Sequence, residues 1–386
     1  MDSQVKNTII IVGDLFPVPS NFEKFSEGDV EYLFGDKICQ IFQSADYRIC
    51  NLEGALTDNP GKCEKTGPVV FAPTSVINGV KKIGINCCTL ANNHITDAGA
   101  KGVIDTMQAL DNAGISHLGC GENDKKINHY IFFVVGEKRV CLYNVAETMY
   151  NAPTSKDPGA YLYDEYIVCR ELQNLKTECD FLIVIYHGGA EKFRYPSPQT
   201  RERFHRMVDN GANMVLSQHT HCIGSEEYYK GGYLLYGQGN FLFRSFNNEY
   251  TDTGLIIELE FKEGLPFVKK HLVNAVGDTV RYDECQDFSA FNKRSSLLCD
   301  EDFILEQYKR YCLNQLPLYL RNFKSRFFGR KIIRRLFPNI YRKILLDRAY
   351  DRHDLLFTLH SLRSEQNRET AIYGIEELLN NIFRHS

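Results

Sequence analysis

Repeatedly in this sequence a short apolar run stops at an acid, an amide or a histidine. TIIIV leads to Gly13-Asp14. The run at 47–50 leads to Asn51-Leu52-Glu53, and the run at 85–90 leads into Asn92, Asn93 and His94. FLIVIY ends at His187, and NMVLSQ ends at His219 and His221. Runs of this length rich in β-branched residues fit buried strands. Segments with helical apolar spacing separate them, at 27–44, 74–83, 100–112, 166–176 and from Ser197-Pro198 to Gly211. Strand and helix alternating in this way predict an α/β fold. In such folds the carboxyl ends of the strands collect ligands, because the sheet fixes the backbone while the following loop frees the side chain.

Taken singly, each of these residues has a plain structural use. Asp14 reads equally as a turn former, Asn51 and Glu53 as a solvated turn, and His94 as a satisfied core histidine. Asp97 either caps the helix that follows it or holds the ring of His94. Taken together they supply carboxylate, amide and imidazole groups, a mixture that suits Mn²⁺, Zn²⁺ or Fe²⁺. The set is too large for one catalytic ion with an open position. It is about right for two divalent ions roughly 3.5–4 Å apart that share a carboxylate. His94 is then left to serve a leaving group as proton donor.

Composition sets the remaining bounds. The chain has 386 residues, 43% hydrophobic, enough for one large domain and a smaller one. A net charge of −4 names no partner. The 13 cysteines, an odd number with no CxxC or CxxH spacing, read as reduced thiols. The apolar run at the N-terminus is too short for a signal peptide or a spanning helix, so the chain reads as cytoplasmic. Composition shifts near Tyr282, which sets expected domains of 1–281 and 282–386. Helical spacing recurs from Phe303 to Phe383. Between Lys309 and Arg348 there are twelve Lys or Arg and a single acid, Asp347. This basic, amphipathic region fits either a solvated helical cap or a docking segment for a membrane surface or a synthase complex. Nucleic acid is the weaker reading, because no recognised binding module is present.

The ordered motifs GD (Asp14), NLEGALT (Glu53), ANNHITDAG (Asn93, His94, Asp97), HGGAE (His187, Glu191), SQHTH (His219, His221) and YGQGNFLF (Asn240) resemble the CapA-type proteins of capsule and poly-γ-glutamate biosynthesis. That family is similar in fold to calcineurin-like metallophosphoesterases. The resemblance covers about residues 7–245. It implies a four-layer αββα sandwich with an α-helical C-terminal extension outside it. It implies Asp14, Glu53, Asn93, His187, His219 and His221 as ligands of two divalent ions, and His94 with Asp97 as a catalytic pair. Asn51, Glu191, Arg194 and Asn240 stand as candidate substrate contacts. The expected activity is hydrolysis of an ester or amide bond in an anionic polymer or a phosphorylated precursor. The alternative is an accessory role in polymer synthesis without hydrolysis.

Four departures from the pattern matter. Phe16 stands where calcineurin-like enzymes usually have a histidine. The second acid is Glu53 in NLE rather than an aspartate of a GDxxD-type motif. Gly188 stands where an aromatic residue often follows the motif histidine. Gln218 and Thr220 replace two usual residues of a GHHPH motif, and these changes are expected to alter the substrate mouth. Many CapA-type proteins also carry an N-terminal membrane anchor, and none is read at the start of this chain.

Overall fold

The computed structural model describes residues 7–63, 68–149, 151–243 and 248–327, with side chains as far as Gln315. The chain divides into two compact units, Met1–Tyr308 and Lys309–Ser386. Of the basic region, residues 309–327 are helical, and the rest lies outside the described residues. Among the described residues, no helix is long and apolar enough to cross a membrane. Among the described residues, the buried cysteines Cys39, Cys50, Cys87, Cys88, Cys120, Cys141 and Cys222 are free thiols.

Two sheets carry the first unit. In the larger, Thr8–Leu15, Tyr47–Leu52, Cys87–Thr89 and Ser116–Leu118 run parallel in that order. On the other side of Thr8–Leu15 the antiparallel strands Thr253–Lys262, Leu265–Val276 and Thr279–Tyr282 complete the row. Asn240–Leu242 pairs in parallel with the end of Thr8–Leu15. The smaller sheet centres on four parallel strands, Gly232–Leu235, Met214–Gln218, Phe181–His187 and Lys138–Ala146. Glu226–Tyr229 and Tyr130–Val135 close its edges antiparallel.

The two-residue period of the strands sorts their side chains into three separate cores. Ile9 and Ile11 join Ile183, Ile185 and Leu216 between the sheets. Ile10 and Val12 face the other way, against Phe25, Leu33, Phe34 and Val103 of the helices on the larger sheet. Leu182, Val184 and Tyr186 pack on Val168, Leu172, Phe204 and Met207 of the helices on the smaller sheet. Three cores make four layers, helix–sheet–sheet–helix, as the motifs implied. Strands buried on both faces explain why these runs read as continuously apolar rather than alternating. Phe291 also lies in the core between the sheets, and Leu298 and Ile304 in the outer one.

Local chemistry sets the breaks. The helical stretch expected at 27–44 is two helices, Phe22–Glu27 and Val30–Gln43. Gly28 ends the first in the left-handed region at φ 72°, and the Asp29 side chain accepts from Tyr32 N at 3.1 Å to start the second. The strands Thr253–Lys262 and Leu265–Val276 join in a hairpin at Glu263-Gly264, with both residues at positive φ.

Amides stitch the two sheets together near their carboxyl ends. Asn144, fully buried on the smaller sheet, accepts from Ala91 N at 2.8 Å and donates to Ile185 O at 3.1 Å. Gln218 Nε2 donates to Val12 O of the larger sheet at 3.2 Å and to Gln238 Oε1 at 3.0 Å. Gln238 Nε2 in turn donates to Ile11 O at 2.8 Å. Gln218 is therefore a buried spacer and not part of a substrate mouth, which corrects the expectation for that position. Its side chain points into the sandwich, on the opposite side of the strand end from the histidines. Thr220 is likewise buried, with its hydroxyl on Cys222 O. Replacing Asn144 by Ala leaves the buried Ala91 N–H without its partner, at about 1–3 kcal/mol. Urea unfolding of Asn144→Ala is expected to show a loss of about 1–3 kcal/mol, and a loss below 0.5 kcal/mol (roughly the ordinary surface range) would refute the stitch.

Candidate metal centre

The carboxyl ends of both parallel strand sets open onto one buried space. Asp14 reaches it because the strand Thr8–Leu15 shifts register after Val12. Gly13 permits that bulge: a Cβ there would lie 2.2 Å from Gly239 O. In register, Asp14 pairs with Asn51 on one side and Asn240 on the other. Glu53 follows the neighbouring strand. Asn93 and His94 follow Cys87–Thr89, His187 ends its own strand, and His219 and His221 follow Met214–Gln218.

The six candidate ligands come together. Glu53, His187 and His219 form one group of mutually close donor atoms, and Asp14, Glu53 and His221 form another. Glu53 belongs to both. Asn93 Oδ1 lies 2.8 Å from His187 Nε2, which is itself 3.5 Å from Glu53 Oε1. His221 sits between the two acids, with Nδ1 3.6 Å from Asp14 Oδ2 and Nε2 3.8 Å from Glu53 Oε1. Both histidines after Met214–Gln218 hold positive φ, 86° at His219 and 50° at His221. Such backbone costs of order 1–3 kcal/mol per residue and turns successive imidazoles toward one site.

The electrostatics fit cations. Both Glu53 oxygens and His219 Nδ1 are buried without a hydrogen-bond partner among the described residues. Burial, followed by the charge of Glu53, pushes Asp14 up to about 6, against the pull of His187 and His221. Burial also acts to raise Glu53, but His221, His187 and His94 together outweigh it and hold Glu53 well below the usual carboxylate range. Burial and the neighbouring imidazoles keep His219 well below its ordinary value, so it is neutral, as a ligand must be. His221 faces the same burial, yet Glu53 and Asp14 lift it above its ordinary value. A buried carboxylate without hydrogen bonds costs several kcal/mol unless a cation compensates it. The donor set of carboxylate, amide oxygen and imidazole therefore fits divalent metal ions.

Around this set lie supporting groups. His94 Nδ1 lies 2.7 Å from Asp97 Oδ2, so Asp97 holds the ring and leaves the helix Gly99–Ala113 without a side-chain cap. Asn51 is almost fully buried; its Nδ2 donates to Asp14 Oδ1 at 2.8 Å and its Oδ1 accepts from Asn92 Nδ2 at 3.2 Å. Asn240 Oδ1 accepts from His221 Nδ1 at 2.8 Å, and its Nδ2 donates to Thr251 O at 2.8 Å. Both amides hold candidate ligands in place. Glu191, 52% exposed, comes within 4.0 Å of His219 Nε2. Arg194 pairs with Glu249 at 3.2 Å and lies over the Tyr250 ring. Phe16 offers no donor: its ring packs on Gly54, where a Cβ would approach it to 2.4 Å.

One acid at this site belongs to no motif. Glu147 directly follows the strand Lys138–Ala146, and its Oε1 lies 3.8 Å from His219 Nε2. The strand-end rule that marked Asp14 and His187 applies equally to the run VCLYNVAE, and that signal was present.

Comparison with known proteins adds the family. The model of the bacterial capsule synthesis protein PGA_cap matches residues 8–245. The chain is 27% identical over 260 residues to the capsule biosynthesis protein CapA of Bacillus anthracis, covering 65% of this chain and 63% of that protein. It is 29% identical over 228 residues to a probable polyglutamine synthesis accessory protein of Mycobacterium tuberculosis, covering 55% of this chain and 60% of that one. It thus spans a little under two thirds of each relative's length. A solved structure of a novel phosphatase from Mycoplasma pneumoniae aligns with 70% of this chain and 94% of its own, at 13% identity and a TM-score of 0.46. By the match to the PGA_cap model, which takes in every strand end that feeds the centre, the chain belongs to the bacterial capsule synthesis protein family.

Proposed function

We propose that the centre is a two-metal hydrolase site acting on an ester or amide bond, with an anionic polymer or its phosphorylated precursor as substrate. The observation that carries this reading is Glu53, a buried carboxylate common to both donor groups, with neither oxygen hydrogen-bonded among the described residues. Asp14, Glu53 and His221 would hold one ion; Glu53, Asn93, His187 and His219 would hold the other. When bound, divalent ions supply an acidified water and a Lewis acid for the scissile group. The rest falls to the protein. Asp97 fixes the His94 ring through Nδ1, which leaves Nε2 to pass a proton to the departing oxygen or nitrogen. Asn51 and Asn240 fix the orientation of Asp14, His187 and His221. The polymer context is supported by the roles of the relatives, capsule biosynthesis and polyglutamine synthesis.

The basic region 309–348 favours a second reading, an accessory protein docked through that region to a membrane surface or synthase without hydrolysis. Liposome co-sedimentation of the full chain against a chain ending at Tyr308 separates the two. Loss of binding on truncation supports docking, and equal binding removes it. Ending the shorter chain at Tyr282 instead would strip Phe291, Leu298 and Ile304 from the cores.

Three outcomes are expected of the hydrolase reading. Purified wild type retains divalent metal and turns over a member of a phosphoester and γ-glutamyl peptide panel with Mn²⁺. His219→Ala loses metal, and its rate falls by orders of magnitude. A wild type with neither metal nor turnover sinks the reading. Next, His94→Ala keeps its metal while kcat falls by about 10²–10⁴-fold; loss of metal in that variant would make His94 a ligand instead. Last, metal affinity depends on pH. Asp14 takes up a proton as pH falls through about 6. A metal ion must displace that proton and the one on His221, which is held above its ordinary value, so calorimetric titration is expected to show affinity already falling before about pH 6 is reached and by more than about tenfold per pH unit below it. Equal affinity at pH 5 and pH 7 would contradict this.

A further inference from the structure

We propose that Glu147 is a positioning residue of the metal centre, the carboxylate of a Glu147–His219 relay for which Gly188 makes the room. The proposal rests on the two-metal reading and adds to it a residue outside the motif set.

Glu147 is held from the backbone outward. Its strand runs parallel to Phe181–His187 with Ala146 opposite His187, and Glu147 N donates to His187 O at 3.0 Å. One carboxylate oxygen, Oε2, accepts from Gly189 N at 3.1 Å. The buried Tyr186 ring lies beside the same carboxylate at Gly188, and the Arg203 guanidinium bonds to the Tyr186 hydroxyl. Arg203 is itself fixed over the Tyr163 ring, 4.1 Å from its centroid. A surface glutamate has no need of such support. This one is anchored through one oxygen while the other, Oε1, faces His219.

The chemistry of the imidazole gives that arrangement a use. A neutral ring carries one N–H and one lone pair, and a carboxylate at one nitrogen draws the proton there. At His219 it is Nε2 that lies 3.8 Å from Glu147 Oε1, within ion-pair range, and 4.0 Å from Oε1 of the more exposed Glu191. Nδ1 is buried and has no partner among the described residues. Glu147 thus favours the Nε2–H tautomer and leaves the Nδ1 lone pair for a cation, the carboxylate–histidine–metal pattern that fixes ring and tautomer together.

Gly188 completes the argument. Any Cβ there would lie 2.8 Å from Glu147 Oε2 and 2.8 Å from the Tyr186 ring. The small residue at this position and the acid at 147 therefore need each other: a larger side chain would take the volume that the carboxylate occupies.

The test uses the full chain and Mn²⁺ or Zn²⁺ alone as probe. Glu147→Gln keeps an oxygen for Gly189 N–H but removes the charge. Its metal dissociation constant is expected to rise about 10–100-fold while the melting temperature of the metal-free protein stays at the wild-type value. Gly188→Ala is expected to produce the same weakening by displacing the carboxylate, and the double variant to bind no worse than either single one. Nitrogen NMR of labelled protein, with His219→Ala to assign the signal, is expected to show the Nε2–H tautomer in wild type and its loss in Glu147→Gln. Unchanged affinity and tautomer in Glu147→Gln, or additive losses in the double variant, would overturn the relay. Uptake of no metal by wild type removes the two-metal reading and the relay with it. Metal uptake by wild type and by Glu147→Gln with equal affinity removes the relay alone.

Discussion

Two carboxylates buried side by side are the constraint to which the rest of this structure answers. Asp14 and Glu53 are both fully buried, and His221 lies between them. Burial raises the cost of ionising both, and the charge of Glu53 adds to it at Asp14. The surrounding groups reduce that cost in part. Asn51 donates to Asp14, the His219 backbone N–H donates to Asp14 at 3.2 Å, and His187 and His221 flank Glu53. The arrangement remains short of positive charge, since one of its imidazoles is held neutral by burial. An acid pair kept in such a place, on strained backbone at 219 and 221, makes physical sense as a cation receptor.

The division of labour between the sheets follows from the charges. The larger sheet delivers the acids and the Asn93–His94 pair, and the smaller delivers three imidazoles and Glu147. Neither sheet alone has a balanced donor set. The centre therefore exists only where the two faces are packed with their parallel strands ending at the same edge, an outcome of the core between them rather than of any one loop.

Much of this was legible in the sequence because it depends on local order. An apolar run fixes a strand, and the next polar residue falls at its end, so Asp14, Glu53, Asn93, His187, His219 and His221 could be grouped before their geometry was known. Direction was not legible. Gln218 and His219 are neighbours, yet one side chain enters the sandwich and the other the site, because the backbone turns to φ 86° at His219. Asn51 and Asn240 show in the sequence only as amides beside strand ends; their bonds to Asp14 and His221 come from the packing of separate strands. Asp97 could have served either the helix or the ring, since it stands three positions after His94 and just ahead of the helix Gly99–Ala113; only the packed ring decides. Glu147 obeyed the strand-end rule without motif company and so did not stand out.

The amides Asn144, Gln218 and Gln238 act as struts of set length between the sheets. Their placement makes the gap between the acid half and the imidazole half of the centre a dimension of the whole sandwich. Face-to-face sheets stand about 10 Å apart, and the side chains between them set that spacing. Surface loops on this scaffold can therefore lengthen or drift while the centre keeps its width. A methylene gained or lost at Ile11, Ile185 or Leu216, far from any chemistry, changes that width. Evolution has wide latitude around the mouth of this centre and little beneath its floor.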